Sequence, residues 1–192
     1  THPSKSVGTR IMPATGEYFD FLNPAAYKFE INAIAHSLSL QTRWTGNCRC
    51  FYSIAEHSVR ASLISSPQNA LATLLHDAAE SVTGDCATPL KKLLKRFQEI
   101  EKATEKELLK QFSIKTPLDK EVKVCDLIML ATEKRDLMGD DSYWEMLEGI
   151  SPTAILRRVA LSVVETIQRV TVWLRSHVGV EVLERVTPPI AD

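Results

Sequence analysis

The sequence predicts a mostly α-helical domain of about six or seven helices with a short β-hairpin or extended arm at its N-terminus. Apolar residues recur with helical spacing over most of the chain, and only the segment Arg10–Pro24 clearly breaks that pattern. With 192 residues, 44% of them hydrophobic, the chain can form one substantial core. We therefore expect one domain over residues 1–192, with a core at about 25–150, a last helix at about 153–178 and a frayed tail.

The first part of the chain contains the arm and one helix. Short apolar and aromatic stretches flank Pro13-Ala-Thr-Gly16, which is typical of a small hairpin. From Glu30 to about Leu40, apolar residues recur at i, i+3, i+4 and i+7, which predicts an amphipathic helix. The segment Gln41–Tyr52 is polar and aromatic and is predicted as an irregular loop.

Two helices are expected next. Ser53 and Glu56 have the spacing of a capping box, so a helix should begin there and contain His57. After the turn at Ser65, a helix is predicted from about Gln68 through Glu80, and its expected buried face is Leu71, Leu74, Leu75 and Ala78.

The later helices are more charged. A basic start at Leu90-Lys91-Lys92 leads into a long helix that ends near Phe112, and the next helix opens at Thr116-Pro117-Leu118. A last helix is expected from about Thr153 to His177, followed by a tail from Val180. The apolar positions of the long helix that should face the core are Leu93, Leu94, Phe97, Ile100, Leu108 and Leu109.

Composition excludes several classes of function. A net charge of −1 offers no basic surplus for sequence-independent nucleic-acid binding, and the longest apolar run is too short to span a membrane. The four cysteines do not resemble a secreted disulfide framework, which favours a cytoplasmic location. The pair Cys48-x-Cys50 could bind a soft metal, although buried or half-exposed free thiols are the simpler interpretation.

Four polar residues in apolar helices point to chemistry: His57, His76, Asp77 and Asp126. Neighbouring His and Asp side chains can reach one metal ion, and imidazole with carboxylate suits divalent transition metals. Each residue also has a structural interpretation, because a buried histidine is often hydrogen-bonded in a core and a buried aspartate can pair with a cation. Their joint occurrence favours a metal site.

These residues resemble the motif of the HD-domain phosphohydrolases, in which a His, a His-Asp doublet and a later Asp surround one divalent metal. Here the motif is Glu56-His57-Ser58, His76-Asp77 and Asp126. The resemblance implies an HD-type helical bundle and these four residues as metal ligands.

The resemblance covers roughly residues 10–150 and extends to a compact bacterial and phage branch that is similar to the 5′-deoxynucleotidases. Arg43-Trp44 lies upstream of the first ligand, as in that branch, and the segment from His76 through Gly84-Asp85 to Lys91 is similar to its extended motif. The interval from His57 to His76 is short, as in the compact branch, and Asn47 replaces an expected histidine. The branch implies a bacterial cell or a phage-infected host, and related enzymes form dimers and hexamers.

Roles for the flanking residues follow from their chemistry. Glu80 could orient or deprotonate a water molecule, and Asp85 could position that water or protonate the leaving sugar oxygen. Arg43 and Lys91 could neutralise phosphoryl oxygens. Trp44 could cover the base or sugar by stacking, or it could be a core residue.

The leading functional hypothesis is a metal-dependent phosphohydrolase that cleaves the 5′ phosphoester of a dNTP, dATP being one candidate, to a deoxynucleoside and triphosphate. Lys91, Lys92 and Lys95 could hold the additional phosphates, although this run also has the character of a solvated helix face. A 5′-nucleotidase acting on dNMPs is the alternative, and a non-catalytic module with a structural metal is the second alternative. A signalling HD protein is disfavoured, since the Gly-Tyr-Pro element is absent.

The expected cofactor is one divalent transition metal (Co, Mn, Zn, Ni or Fe), with Mg²⁺ as an additional partner of the phosphates. The expected partners are a small deoxynucleotide and further copies of this chain, in a dimer or hexamer. We expect neither nucleic acid nor a membrane as a partner.

Overall fold

The computed structural model describes residues 8–154 and Val172, and helices are the dominant regular structure in that part of the chain. The predicted all-α fold with a small N-terminal hairpin is thereby confirmed. Within these residues, no helix combines the length and the apolar character that a membrane span requires. The helices are α1 (Ile31–Leu40), α2 (Ile54–Ile64), α3 (Ala70–Leu74), α4 (Glu80–Thr83), α5 (Thr88–Lys91), α6 (Lys95–Gln111) and α7 (Lys120–Glu133).

The hairpin forms where the sequence predicts it. Strand β1 (Arg10–Ile11) pairs antiparallel with strand β2 (Phe19–Asp20). Phe19 is fully buried, and its ring meets those of Tyr27 and Phe29 at centroid distances of 5.3 and 5.9 Å. Contacts between tilted aromatic rings add to the stabilisation from buried area. The hairpin therefore belongs to the hydrophobic core.

Helix α2 begins as its capping sequence predicts. The Ser53 side chain accepts a hydrogen bond from the backbone N–H of Glu56 at 3.0 Å, which satisfies one of the free N–H groups of the first turn. The carboxylate of Glu56 is buried and accepts from Arg60 at 2.6 Å. This cap fixes the start of the helix that carries His57.

The prediction of one continuous helix from Gln68 to Glu80 is wrong. Regular α-helix ends at Leu74, and α4 begins only at Glu80. Between them the backbone makes shorter hydrogen bonds, from the N–H of Ala78 to Leu75 O and from the N–H of Glu80 to Asp77 O. Apolar periodicity continues through such turns, because i→i+3 bonding preserves nearly the same buried face.

The prediction that Leu93 and Leu94 face the core is also wrong. Their exposed fractions are 79% and 41%, whereas Leu108 and Leu109 are fully buried. The two exposed leucines lie in turns before α6 begins at Lys95, so they do not continue its core-facing stripe.

The helical segment that begins with α7 continues beyond Glu133. Asp119 caps its start by accepting from the N–H of Glu121, and its last turn continues as a π-helix over Lys134–Met138. Gly139 ends this unit with a φ of +62°, and the guanidinium of Arg49 occupies the space that a side chain there would need. The predicted last helix from about Thr153 to His177 and the tail from Val180 lie outside the described residues, apart from Thr153, Ala154 and Val172.

A comparison of a buried and an exposed leucine in this region tests the described packing. We expect Leu108→Ala to lower the free energy of unfolding by about 2–5 kcal/mol, because it leaves a cavity in the core. We expect Leu93→Ala, the same change at an exposed position, to alter it by less than about 0.5 kcal/mol. Urea unfolding followed by circular dichroism measures both values. Similar losses in the two variants would contradict the described packing.

Candidate metal centre

Side chains from three separate parts of the chain converge on one point. His57 belongs to α2, His76 and Asp77 lie between α3 and α4, and Asp126 belongs to α7. The Nε2 atom of His57 lies 3.4 Å from Nε2 of His76, 3.7 Å from Asp77 Oδ2 and 3.4 Å from Asp126 Oδ1. The Nε2 atom of His76 lies 3.2 Å from Asp77 Oδ2 and 3.8 Å from Asp126 Oδ1. The structure thus brings together the four residues predicted as ligands, here called the His-Asp cluster.

The break after α3 allows both members of the doublet to reach this point. In a continuous α-helix, adjacent side chains diverge by about 100° and do not face each other. The turns at Leu75–Ala79 change that direction, so the ring of His76 and the carboxylate of Asp77 come within 3.2 Å of each other.

Hydrogen bonds orient both imidazole rings. The Nδ1 atom of His57 lies 2.5 Å from Glu133 Oε1, and the Nδ1 atom of His76 lies 2.7 Å from the carbonyl oxygen of Thr73. A carbonyl oxygen and an ionised carboxylate can only accept, so each Nδ1 carries the hydrogen and donates it. In the neutral rings, both Nε2 lone pairs are then directed into the His-Asp cluster. Metal-bound histidines in proteins commonly have this arrangement.

Burial and opposite charge act against each other in the cluster. Burial by itself lowers the pKa of His76, but Asp77 and Asp126 outweigh it, so this pKa lies well above its ordinary value. Burial would raise the pKa of Asp126, but hydrogen bonds with His57 and His76 hold it far below its ordinary range. The pKa of Asp77 is lowered against burial in the same way, mainly by His76. Both carboxylates are therefore ionised at neutral pH.

The geometry of the donor atoms fits a divalent cation. Ligands that lie about 2.0–2.2 Å from one ion are separated from each other by about 3–4 Å. Ligand atoms of His57, His76 and Asp126 lie within 4.8 Å of one another, and Asp77 Oδ2 lies 3.7 and 3.2 Å from the two rings. Among the described residues, no second group of three or more His, Cys, Asp or Glu side chains has this property, and the pair Cys48-x-Cys50 is not part of one.

Glu133 is a functional candidate that was not predicted. Its fully buried carboxylate accepts from His57 Nδ1 and, at 3.0 Å, from Arg43 Nε. It lies seven residues after Asp126. Two helical turns place both residues on one face of α7, and this spacing is the signal that could have revealed the role of Glu133.

The structure places Arg43 at the cluster, where it is already ion-paired. Its Nε contacts Glu133, and its Nη1 atom lies 3.4 Å from Asp77 Oδ2. Burial acts to lower the pKa of Arg43, but Glu133 and Asp77 more than reverse this, so the guanidinium stays charged. A guanidinium has five N–H donors, so these contacts leave donors for a phosphoryl oxygen.

Trp44 lies in a strained loop beside the cluster. Trp44 and Thr45 have φ values of 60° and 53°, a region that non-glycine residues seldom adopt. The ring of Trp44 is half-buried and packs against Trp144 at a centroid distance of 5.7 Å. Its Nε1 atom is buried without a hydrogen-bond partner among the described residues. Such strain is common at functional sites.

Glu80 is buried beside the cluster. Its exposed fraction is 7%, its Oε1 atom lies 3.6 Å from Lys91 Nζ, and its Oε2 atom is buried without a hydrogen-bond partner in the described structure. Burial raises the pKa of Glu80 to about 9, with further contributions from Asp77 and Asp85 that Lys91 opposes. Before any cation binds, Glu80 is therefore protonated at neutral pH.

Asp85 and Lys91 differ in how closely they approach this site. The N–H of Asp85 donates to Gln41 at 3.2 Å, but its carboxylate makes no hydrogen bond or ion pair within the described part of the chain. Lys91 reaches Glu80 and is held more closely by Glu101, whose Oε1 atom lies 2.7 Å from Nζ. Glu101 is a second residue that was not predicted, because its contact with Lys91 joins two separate helices and leaves no periodic pattern in the sequence.

The role of Glu133 behind His57 can be tested by metal binding. We expect Glu133→Gln to weaken divalent-metal affinity by about 10- to 100-fold, because the carboxylate that orients the imidazole is lost. Isothermal titration calorimetry with Mn²⁺ or Co²⁺ measures the change. Glu121→Gln is a matched control, since it removes a hydrogen-bonded carboxylate from the same helix. The carboxylate of Glu121 contacts Ser66 and Asn69 instead of a histidine. Equal affinity in the wild type and Glu133→Gln would contradict this role.

Comparison with known proteins places the chain in a family. Residues 29–123 match the family model described as 5′-deoxynucleotidase YfbR-like. The uncharacterized protein YfdR of Escherichia coli is 37% identical over 146 residues, which cover 76% of this chain and 81% of that protein. The uncharacterized protein RCAP_rcc00048 of Rhodobacter capsulatus is 30% identical over 139 residues, which cover 65% of this chain and 71% of that protein.

The family-model match includes α2 and the His76-Asp77 doublet, and it ends at residue 123, three residues before Asp126. The length and identity of the match to YfdR show the family, and the helical fold agrees with it. The chain belongs to the YfbR-like family of HD-domain phosphohydrolases.

Proposed function

We propose that this chain is a metal-dependent 5′-nucleotidase that hydrolyses deoxynucleoside monophosphates to a deoxynucleoside and inorganic phosphate. The observation that carries the proposal is the convergence of His57, His76, Asp77 and Asp126, with Glu80 buried alongside. A divalent cation held there would polarise a phosphoryl oxygen and make water a better nucleophile toward phosphorus.

In the proposed reaction, the oxygen of water bonds to phosphorus and the bond between phosphorus and O5′ breaks. Glu80 takes a proton from the attacking water, and the protonated form of Asp85, which burial favours by raising its pKa, gives its proton to the leaving O5′. Glu80 must be ionised to act in this way, although its pKa is raised to about 9 by burial. Positive charge beside Asp77 favours the ionised form, so Glu80 becomes a base when the site is loaded.

Two cations are suitably placed for a single phosphate. Arg43 precedes the His76-Asp77 doublet in the chain and contacts Asp77. Lys91 follows the doublet and lies 3.6 Å from Glu80. Both side chains can donate hydrogen bonds to phosphoryl oxygens. The family description as a 5′-deoxynucleotidase supports the same substrate class.

The triphosphate substrate favoured by the sequence is the second candidate. Lys92 and Lys95 are exposed, so both are accessible to additional phosphates. The non-catalytic module is less well supported, because a structural metal site should be closed and would not need an unpartnered carboxylate oxygen beside it. The homo-oligomer and the cytoplasmic location stay predictions.

A product assay tests the proposed function. Metal-loaded protein is incubated with a panel of dNMPs and dNTPs, and the released anion is identified by ion chromatography. We expect inorganic phosphate from at least one dNMP and none after removal of metal with EDTA. Release of triphosphate from dNTPs alone would favour the second candidate, and no turnover with any nucleotide would contradict both.

The role of Glu80 gives a second test. We expect Glu80→Gln to lower kcat by about 10²- to 10⁴-fold, because the amide cannot take the proton from water. Metal content should not change, since Glu80 is not among the proposed ligands, and inductively coupled plasma mass spectrometry measures it. Glu107→Gln removes a carboxylate that pairs with Lys110 and should leave kcat near the wild-type value. A Glu80→Gln protein with wild-type kcat would disprove this assignment.

A further inference from the structure

Lys91 is held by the first turns of α6 through three contacts. Its Nζ atom lies 2.7 Å from Glu101 Oε1, and its backbone carbonyl accepts from Gln98 Nε2 at 2.6 Å. The same Nζ lies 6.0 Å from the centre of the Phe97 ring. The position of the ammonium group is therefore set by α6, although Lys91 itself ends α5.

Two carboxyl groups lie near this ammonium group, and that of Glu101 is the closer. Glu101 lies at 2.7 Å and Glu80 at 3.6 Å, and the exposed fractions of the Lys91 and Glu101 side chains are 25% and 18%. Partial burial reduces the screening of this ion pair by solvent. The positive charge that Lys91 can present to a substrate is therefore largely neutralised in advance.

A third carboxylate on α6 adds to the negative charge. Glu105 is half-buried and lies four residues after Glu101, so both side chains are on one face of the helix. Burial raises the pKa of Glu105, and the charge of Glu101 contributes to the same shift. Glu101 and Glu105 thus place two carboxyl groups on one face of α6, and Lys102 partly offsets the charge around Glu105.

We propose that Glu101 is a specificity-determining residue that restricts the site to nucleotides with one phosphate. This inference rests on the proposed phosphohydrolase function and deepens it by naming the substrate class. A nucleoside monophosphate carries about two negative charges and a triphosphate about four, so the triphosphate meets greater repulsion from the carboxylates around Lys91. Glu101 already occupies Lys91, so this ammonium group does not compensate for the two additional charges. Lys92 and Lys95 are exposed, and solvent screens their charges.

The test compares dAMP and dATP as substrates of the metal-loaded protein without added Mg²⁺, so that dATP keeps its two additional charges. Removal of one negative charge about 10 Å away favours each added phosphate charge by about two- to fourfold at effective dielectric constants of about 40 to 80. We therefore expect Glu101→Gln to raise the ratio of kcat/KM for dATP to that for dAMP by about 4- to 16-fold. This ratio does not respond to a general loss of active protein, so a merely structural role for Glu101 would not change it.

Two control variants accompany this measurement. Glu99→Gln makes the same change on the same helix, at a side chain that is 63% exposed and pairs with Arg96, and it should leave the ratio unchanged. Glu101→Asp keeps the charge and should stay close to the wild-type ratio. An unchanged or lower ratio in Glu101→Gln, or a wild-type protein that prefers dATP, overturns the inference.

Inhibition of the wild-type enzyme covers the case in which Glu101→Gln does not fold. With Mg²⁺ in excess, inorganic triphosphate should inhibit dAMP hydrolysis no more strongly than inorganic phosphate, and inhibition more than about tenfold stronger contradicts the inference. A wild-type protein that hydrolyses no nucleotide refutes the proposed function itself. In that case, the affinities of the wild type and the same variants for dAMP and dATP, measured by calorimetry, decide the role of Glu101 separately.

Discussion

The buried carboxylate of Glu133 is the contact on which the rest of the site depends. It accepts from His57 Nδ1 on one side and from Arg43 Nε on the other, and none of its side chain is exposed. A charge buried this completely must be paired, since an unpaired one would cost several kcal/mol. Glu133 therefore ties α2, α7 and the loop of Arg43 into one arrangement, and it fixes which nitrogen of His57 faces the cluster.

The pairing of two carboxylates with two imidazoles is the second constraint. Asp77 and Asp126 each lie within 3.8 Å of both rings, which hold the pKa values of the two carboxyl groups below the ordinary range against the effect of burial. Such an arrangement favours a bound cation. The stability of the helices alone does not require it. Burial is the main cause of the raised pKa of Glu80, and the charge of Asp77 adds to it, so the chemistry of this residue depends on whether positive charge is present.

Periodicity, caps and turn residues are local signals, and they predict the hairpin and most of the helices. The convergence of the His-Asp cluster is what the resemblance to the HD-domain motif implies. The sequence misses the helix break between Leu74 and Glu80, since the buried face continues through the turns. It also misses Glu101, because the contact with Lys91 joins two separate helices, and Glu133, whose spacing from Asp126 becomes a signal only once Asp126 is taken as a ligand. The wrong placement of Leu93 has the same origin, because the start of α6 depends on tertiary packing rather than on periodicity.

The central claim is that one divalent cation binds between His57, His76, Asp77 and Asp126. Crystals of the Mn²⁺- or Co²⁺-loaded protein, measured at the absorption edge of the metal, test it most directly through the anomalous difference map. We expect one strong peak about 2.0–2.3 Å from both Nε2 atoms and from one oxygen of each carboxylate. A map without a peak at this position, or with its main peak elsewhere in the molecule, would contradict the account.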